Sequence, residues 1–202
     1  MPKRLIIIGV MVLSCFLGGC TTTETKVGIE HYNKALILEQ YHADLDSAMF
    51  LFPDDISLFT EATFISHLRT GAFDTNGYII LQAKYGQADY QKEVERLSHV
   101  TCTVQDMAMG VLLDANSYGL PAYVASDGFD DVYEYALTDP DNWEIIYVLL
   151  SHPQEVDLSQ YQEYLKLEMS EYDVDDALNR FSIYVRENQG GIYVEYSDEH
   201  LR

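Results

Sequence analysis

Two short acidic stretches hold the residues best placed to bind a metal. Asp127-Gly128-Phe129-Asp130-Asp131 and Asp139-Pro140-Asp141-Asn142 each gather side-chain oxygens within a few positions. Calcium takes about six to eight oxygen ligands, which Asp and Asn in tight loops can supply. Asp127, Asp130, Asp131, Asp139 and Asp141 are therefore the candidate calcium ligands. Neither stretch has the alternating acid-then-glycine pattern of an EF-hand loop. The same residue types also favour turn backbone angles. That simpler reading makes both stretches turns and expects no metal and no cofactor.

Nucleophilic and acid–base chemistry has thinner support. Cys102 lies in the alternating run Val100-Thr101-Cys102-Thr103-Val104, three positions after His99. A Cys/His pair needs hydrogen-bond geometry between the two side chains. A lone Cys in such a run is more simply a small apolar residue of a strand. His31 and His42 share a helical face, but eleven residues of helix place them about 16 Å apart, too far for one ion. Paired carboxylates are plentiful in a chain with 33 acidic residues, so spacing nominates no glycosidase pair. Nucleophile-elbow, P-loop, dinucleotide and HExxH patterns are absent from the sequence. No catalytic residue is nominated. The sixteen tyrosines admit two readings. Tyr133 with Tyr135, Tyr161 with Tyr164, and Tyr193 with Tyr196 either stack a sugar or peptide or simply pack a sheet; packing is preferred.

The N-terminus carries the most specific pattern. Lys3 and Arg4 precede an apolar run from Leu5 to Phe16, and Leu17-Gly18-Gly19-Cys20 precedes the polar Thr-Thr-Thr-Glu-Thr-Lys. Twelve apolar residues suit a signal peptide, whereas a spanning helix needs about 20. Leu17-Gly18-Gly19-Cys20 resembles the bacterial lipobox. That resemblance implies a diacylglyceryl thioether on Cys20 and cleavage between Gly19 and Cys20. Cys15, after Val12-Leu13-Ser14, is a weaker candidate because it lies inside the apolar run. Acyl chains on Cys20 would anchor the mature chain to the membrane without spanning it. Residues 1–19 are thus read as a signal peptide, 20–28 as lipidated Cys and tether, and 29–202 as one acidic domain.

Charge restricts the partners. Lys3 and Arg4 leave with the signal, so ten basic residues face 33 acidic ones and the mature charge is −23. Such a surface repels phosphate backbones and anionic headgroups, so nucleic acid is excluded as a partner. At 48% hydrophobic residues the chain is too apolar for a disordered acidic tail. Cys102 is the only thiol left after lipidation, so the fold has no internal disulfide.

The elements that must position these residues follow from periodicity. Leu38, Tyr41, Leu45, Ala48, Met49 and Phe52 have helical spacing and predict a helix over Ile29–Phe52, ended by Pro53. Phe59–Leu68 and Tyr78–Tyr85 alternate about the turn-rich Thr70–Gly77 and predict a hairpin. Gln87–Leu97 predicts an amphipathic helix. Gly110–Leu113, Leu120–Ala125, Val132–Leu137 and Trp143–Leu150 predict an antiparallel meander, with Trp143–Leu150 central because both its faces are apolar. Ser159–Met169 and Val174–Arg180 predict short helices, and Phe181–Arg186 and Ile192–Tyr196 late strands. The expected fold is α+β: an antiparallel meander of five to seven strands with helices packed on one face.

Leu51-Phe52-Pro53, Leu120-Pro121-Ala122-Tyr123-Val124 and Tyr133-Glu134-Tyr135-Ala136-Leu137 are similar to a group of uncharacterised lipoproteins from Gram-positive bacteria. The resemblance implies an extracytoplasmic, lipid-anchored address in the cell envelope and no particular activity. The expected role is a non-enzymatic domain that binds a ligand or a protein. The alternatives are an envelope-carbohydrate enzyme with an acidic site and a structural envelope component.

Overall fold

The computed structural model describes residues 21–41, 48–71, 75–104, 107–129, 132–153, 156–166, 183–186 and 193–196. Its frame is a seven-stranded antiparallel sheet. In chain order it holds β1 (Thr22–Val27), β2 (Phe59–Thr70) and β3 (Thr75–Tyr85). After an excursion the chain returns as β6 (Leu112–Asp114), β7 (Ala122–Phe129), β8 (Val132–Asp139) and β9 (Glu144–Ser151). The spatial order is β1-β2-β3-β9-β8-β7-β6. Two runs of sequential neighbours therefore meet where β3 pairs with β9. Helix α1 (Lys34–Gln40) lies between β1 and β2, and helix α2 (Gln87–Ser98) begins the excursion after β3. The expected α+β architecture is the one observed.

A second sheet was not foreseen. β4 (Thr101–Val104), β5 (Met107–Gly110), β10 (Ile183–Arg186) and β11 (Tyr193–Tyr196) pair in the order β11-β10-β5-β4. The run read as one strand at Gly110–Leu113 divides at Val111: Gly110 ends β5 in the small sheet and Leu112 starts β6 in the large one.

β9 is the middle strand of the seven, as its two apolar faces require. Ile145, Tyr147 and Leu149 enter one core, and Ile146, Val148 and Leu150 the other. The first core is covered by α1 through Ile37 and by α2 through Tyr90 and Leu97. The second is covered by Tyr118, Leu158 and Leu165, with Tyr161 and Tyr164 of a 3-10 turn at Ser159–Tyr164. Each aliphatic side chain buried this way contributes about 1.5–3 kcal/mol.

Three local readings are corrected. The helix expected over Ile29–Phe52 is a 3-10 turn at Ile29–His31 followed by the seven-residue α1. Asn33 caps α1 by accepting from the Leu36 N–H at 3.0 Å. Ala48, Met49 and Phe52 are buried, as their spacing implied, but on an irregular strap. Met49 has φ 63°, which no right-handed helix contains. Leu45 and His42 lie outside the described residues. The helix expected over Ser159–Met169 is only the 3-10 turn, with Leu165 already extended; Val174–Arg180 lies outside the described residues. Finally, the stretch read as a tether from Thr21 is edge strand β1, paired with β2 from Thr22↔Thr70 to Val27↔Ile65. An edge strand is held by its ladder and needs no apolar face, so polar Thr-Thr-Glu-Thr-Lys gave no sign of it.

Asn76-Gly77, expected in the turn, lies inside β3 opposite Arg69 and Leu68. Gly77 has φ 148°, and a Cβ there would sit 1.9 Å from the His67 carbonyl oxygen. Only glycine allows the two strands to approach this closely. Gly77→Ala is expected to lower stability by about 2 kcal/mol. Urea unfolding checks this: the midpoint should fall at an unchanged slope, and an unmoved midpoint would contradict the close approach.

Candidate functional site

The helix-bearing face of the sheet buries two carboxylates, Glu134 and Glu93. Buried acids are rare unless bonded, so their partners mark the most specialised place in the described structure. Alternation along β8 sends Glu134 to the same face as Val132 and Ala136. Glu93 projects from α2, three residues after Tyr90 and four before Leu97.

Both acids serve the strap that follows α1. The Leu51 N–H donates to Glu134 Oε1 at 2.7 Å. The Leu51 carbonyl accepts from Arg96 Nη2 at 2.5 Å, and Arg96 also grips Glu93 through Nε at 2.8 Å and Nη2 at 2.6 Å. The Phe52 carbonyl accepts from Lys34 Nζ at 2.9 Å, and the Pro53 carbonyl from the Tyr32 hydroxyl at 2.5 Å. Lys34 also pairs with Asp54 at 3.2 Å. A backbone with no ladder or helix of its own is thus satisfied by side chains. Tyr147 extends the network by donating to Glu93 Oε1 at 2.6 Å, with the Tyr85 hydroxyl 2.6 Å from its own.

Burial governs the proton chemistry. Glu134 is 1% exposed. Desolvation pushes its carboxyl up to about 7, against the pull of the Leu51, Phe50 and Met49 N–H groups and of Lys34. Its second oxygen, Oε2, has no hydrogen-bond partner among the described residues. Burial likewise raises the Tyr147, Tyr85 and Tyr32 hydroxyls far above their ordinary range, so all three remain protonated. A carboxyl that titrates near neutrality suits acid–base work. Glu134, however, is closed off from solvent and bonded to the strap. The arrangement acts as a clamp that fixes the strap between sheet and helices.

The residues singled out by sequence fall elsewhere. Gly19 and Cys20 lie outside the described residues, as do Asp130 and Asp131. Asp127 lies in β7, its backbone paired with Tyr133. Asp139 and Asp141 form the β8–β9 turn. Asp139 Oδ1 accepts from the N–H groups of Asp141 and Asn142 at 3.0 and 3.2 Å, and Oδ2 from the Asn142 amide at 2.7 Å. That is the turn chemistry of an Asx motif. The Asp127 backbone, paired with Tyr133, and the β8–β9 turn are six residues of β8 apart, roughly 20 Å, and cannot share an ion. Among the described residues no three metal-ligating side chains converge.

His99 donates through Nδ1 to the Glu95 carbonyl at 2.8 Å, capping its own helix, while Cys102 pairs with Met109 in β4 and β5. Tyr133 and Tyr135 are buried, and the Tyr135 hydroxyl donates to the Tyr164 carbonyl at 2.9 Å. Tyr161 packs on Tyr78 with ring centres 5.0 Å apart. Tyr133 and Tyr135 are core, and Tyr161 and Tyr164 are partly buried against it. Tyr193 and Tyr196 belong to β11.

Glu134 was missed, although the sequence held its signal. In Val-Tyr-Glu-Tyr-Ala-Leu the acid occupies an inward position of an otherwise apolar strand. No helix among the described residues is long and apolar enough to cross a membrane. No protein-family profile, curated protein or solved structure matches the chain.

Proposed function

We propose that the chain is an extracytoplasmic lipoprotein, anchored by lipid on Cys20, whose domain binds a ligand or protein and catalyses no reaction. The observation that carries the reading is the order of the first twenty residues: Lys3-Arg4, twelve apolar residues, then Leu17-Gly18-Gly19-Cys20 and an abrupt polar stretch. A thiol at that place is the acceptor for a thioether-linked diacylglyceryl group, and the small residues before it suit a peptidase that cuts at Gly19. The non-catalytic part is supported by the way the buried acids and tyrosines bond to one another and to the strap.

The test is mass spectrometry of the chain made in a bacterium with the lipoprotein pathway. The mature N-terminus should be Cys20 carrying a diacylglyceryl mass, and the protein should sediment with membranes. Cys20→Ala should abolish the added mass and block removal of residues 1–19. An unmodified thiol at Cys20 with an intact leader would sink the reading.

A further inference from the structure

Strand β1 begins at Thr22. On the lipoprotein reading above, on which this inference rests, Thr21 alone separates the lipidated residue from hydrogen-bonded backbone. Two Cα–Cα steps of 3.8 Å keep residue 20 within about 8 Å of Thr22. A flexible leader of twenty residues would instead allow roughly 25 Å of wandering.

β1 cannot serve as that leader without breaking the fold. Six successive residues pair with β2, and the Gly28 N–H continues the contact by donating to the Phe64 carbonyl at 2.9 Å. Side chains tie the strand to α1 as well. Glu24 accepts from Gln40 at 2.7 Å and from the Tyr41 hydroxyl at 3.1 Å, and Lys26 donates to Gln40 at 3.0 Å. Thr25 and His67 hydrogen-bond at 2.7 Å across the two strands.

We infer that the chain has no tether and that its anchor fixes the domain end-on at the bilayer. The strand ends nearest the headgroup layer are Thr70 of β2 and Thr75 of β3, in register with Thr22, and Ser151 of β9, in register with Glu24. Thr70 is partly exposed there, while Thr75 and Ser151 are buried and close the end of the sheet, the Ser151 hydroxyl donating to the Thr75 carbonyl at 2.6 Å. The opposite end of the sheet, with Phe59, Tyr85 and the Asp139–Trp143 turn, points away from the membrane, roughly 33 Å further out along the strands.

Charge selects this pose over a side-on one. Lying on its β1 edge, the domain would press Glu24, Glu30 and Glu39 toward the lipid, and a mature charge of −23 is repelled by an anionic leaflet.

Trp143 is the only tryptophan, and it is 42% exposed at the far end. The full lipidated protein is reconstituted into phosphatidylcholine–phosphatidylglycerol vesicles containing headgroup-spin-labelled phosphatidylcholine. Native Trp143 emission should be unchanged by the label. The double variant Thr22→Trp with Trp143→Phe moves the only indole to an exposed edge position where tryptophan is well tolerated; its emission should fall about twofold. Ten Gly-Ser residues inserted between Cys20 and Thr21 should give roughly 17 Å of slack and erase the contrast. Quenching of native Trp143, equal quenching at both positions, or a contrast that survives the insertion would each overturn the end-on pose. The native arm needs no substitution, so a misfolded variant cannot hide the result. The mass of the reconstituted protein separates the two ideas. If Cys20 bears no lipid, the lipoprotein reading fails and takes the pose with it; if Cys20 is lipidated and the contrast is wrong, only the pose fails.

Discussion

Arg96→Ala is expected to lower the unfolding free energy by about 3 kcal/mol, the lower end of the cost of breaking a buried ion pair because the Arg96 side chain is 38% exposed. Three bonds go at once: the two-nitrogen grip on Glu93 and the bond to the Leu51 carbonyl. What remains is costly. The Glu93 side chain is only 10% exposed, and its other partner is a neutral tyrosine hydroxyl. A buried carboxylate without its cation is a larger penalty than any single lost contact. Urea unfolding of the chain lacking residues 1–20 measures the loss. A double-mutant cycle then assigns its cause. In a Glu93→Gln background the same Arg96→Ala change should cost about 1 kcal/mol, because no charge is stranded. Equal costs in both backgrounds would show that Arg96 acts through the strap alone.

Whether a feature could be read from the sequence depended on whether its cause was local. β2, β3, α2, β8 and β9 declared themselves by period, since each has one or two apolar faces set by its own residues. β9 was legible even as the central strand, because Ile-Ile-Tyr-Val-Leu-Leu can only be covered on both sides. The strap illustrates the opposite case. Ala48, Met49 and Phe52 are buried at helical intervals, yet Tyr32, Lys34 and Arg96 take the carbonyls of residues 51–53. Those donors lie up to 45 positions away, so spacing alone read the burial correctly and the backbone wrongly. The small sheet is equally non-local, joining Val185 to Met109. The Asp139–Asn142 stretch was best read by its bland chemistry, since the Asp139 oxygens satisfy their own turn.

Glu134 is the second clamp on the strap, and it makes stability depend on pH in an unusual direction. In the unfolded chain its carboxyl ionises near the ordinary glutamate value of about 4.3. In the fold, burial holds the proton to about 7. Between those values the folded chain binds more protons than the unfolded one, so stability falls as pH rises through the window. Well above 7 both states are ionised and the loss is complete, at about 4 kcal/mol for this shift. Glu134→Gln keeps an oxygen for the Leu51 N–H and removes the titration. The stability difference between the two proteins should therefore move by about 3 kcal/mol in favour of the glutamine form from pH 4.5 to 7.5. Most acid-sensitive proteins behave the other way, because their paired carboxylates have lowered values; Asp114 here is of that kind, held down by the Ser117 and Asn116 N–H groups despite partial burial. Its contribution disappears only below about pH 4, outside the Glu134 window. Paired urea titrations at half-unit steps isolate the term. A difference that stays flat across the window would mean that the strap's N–H groups hold Glu134 as a carboxylate throughout, and that the clamp is ionic rather than neutral.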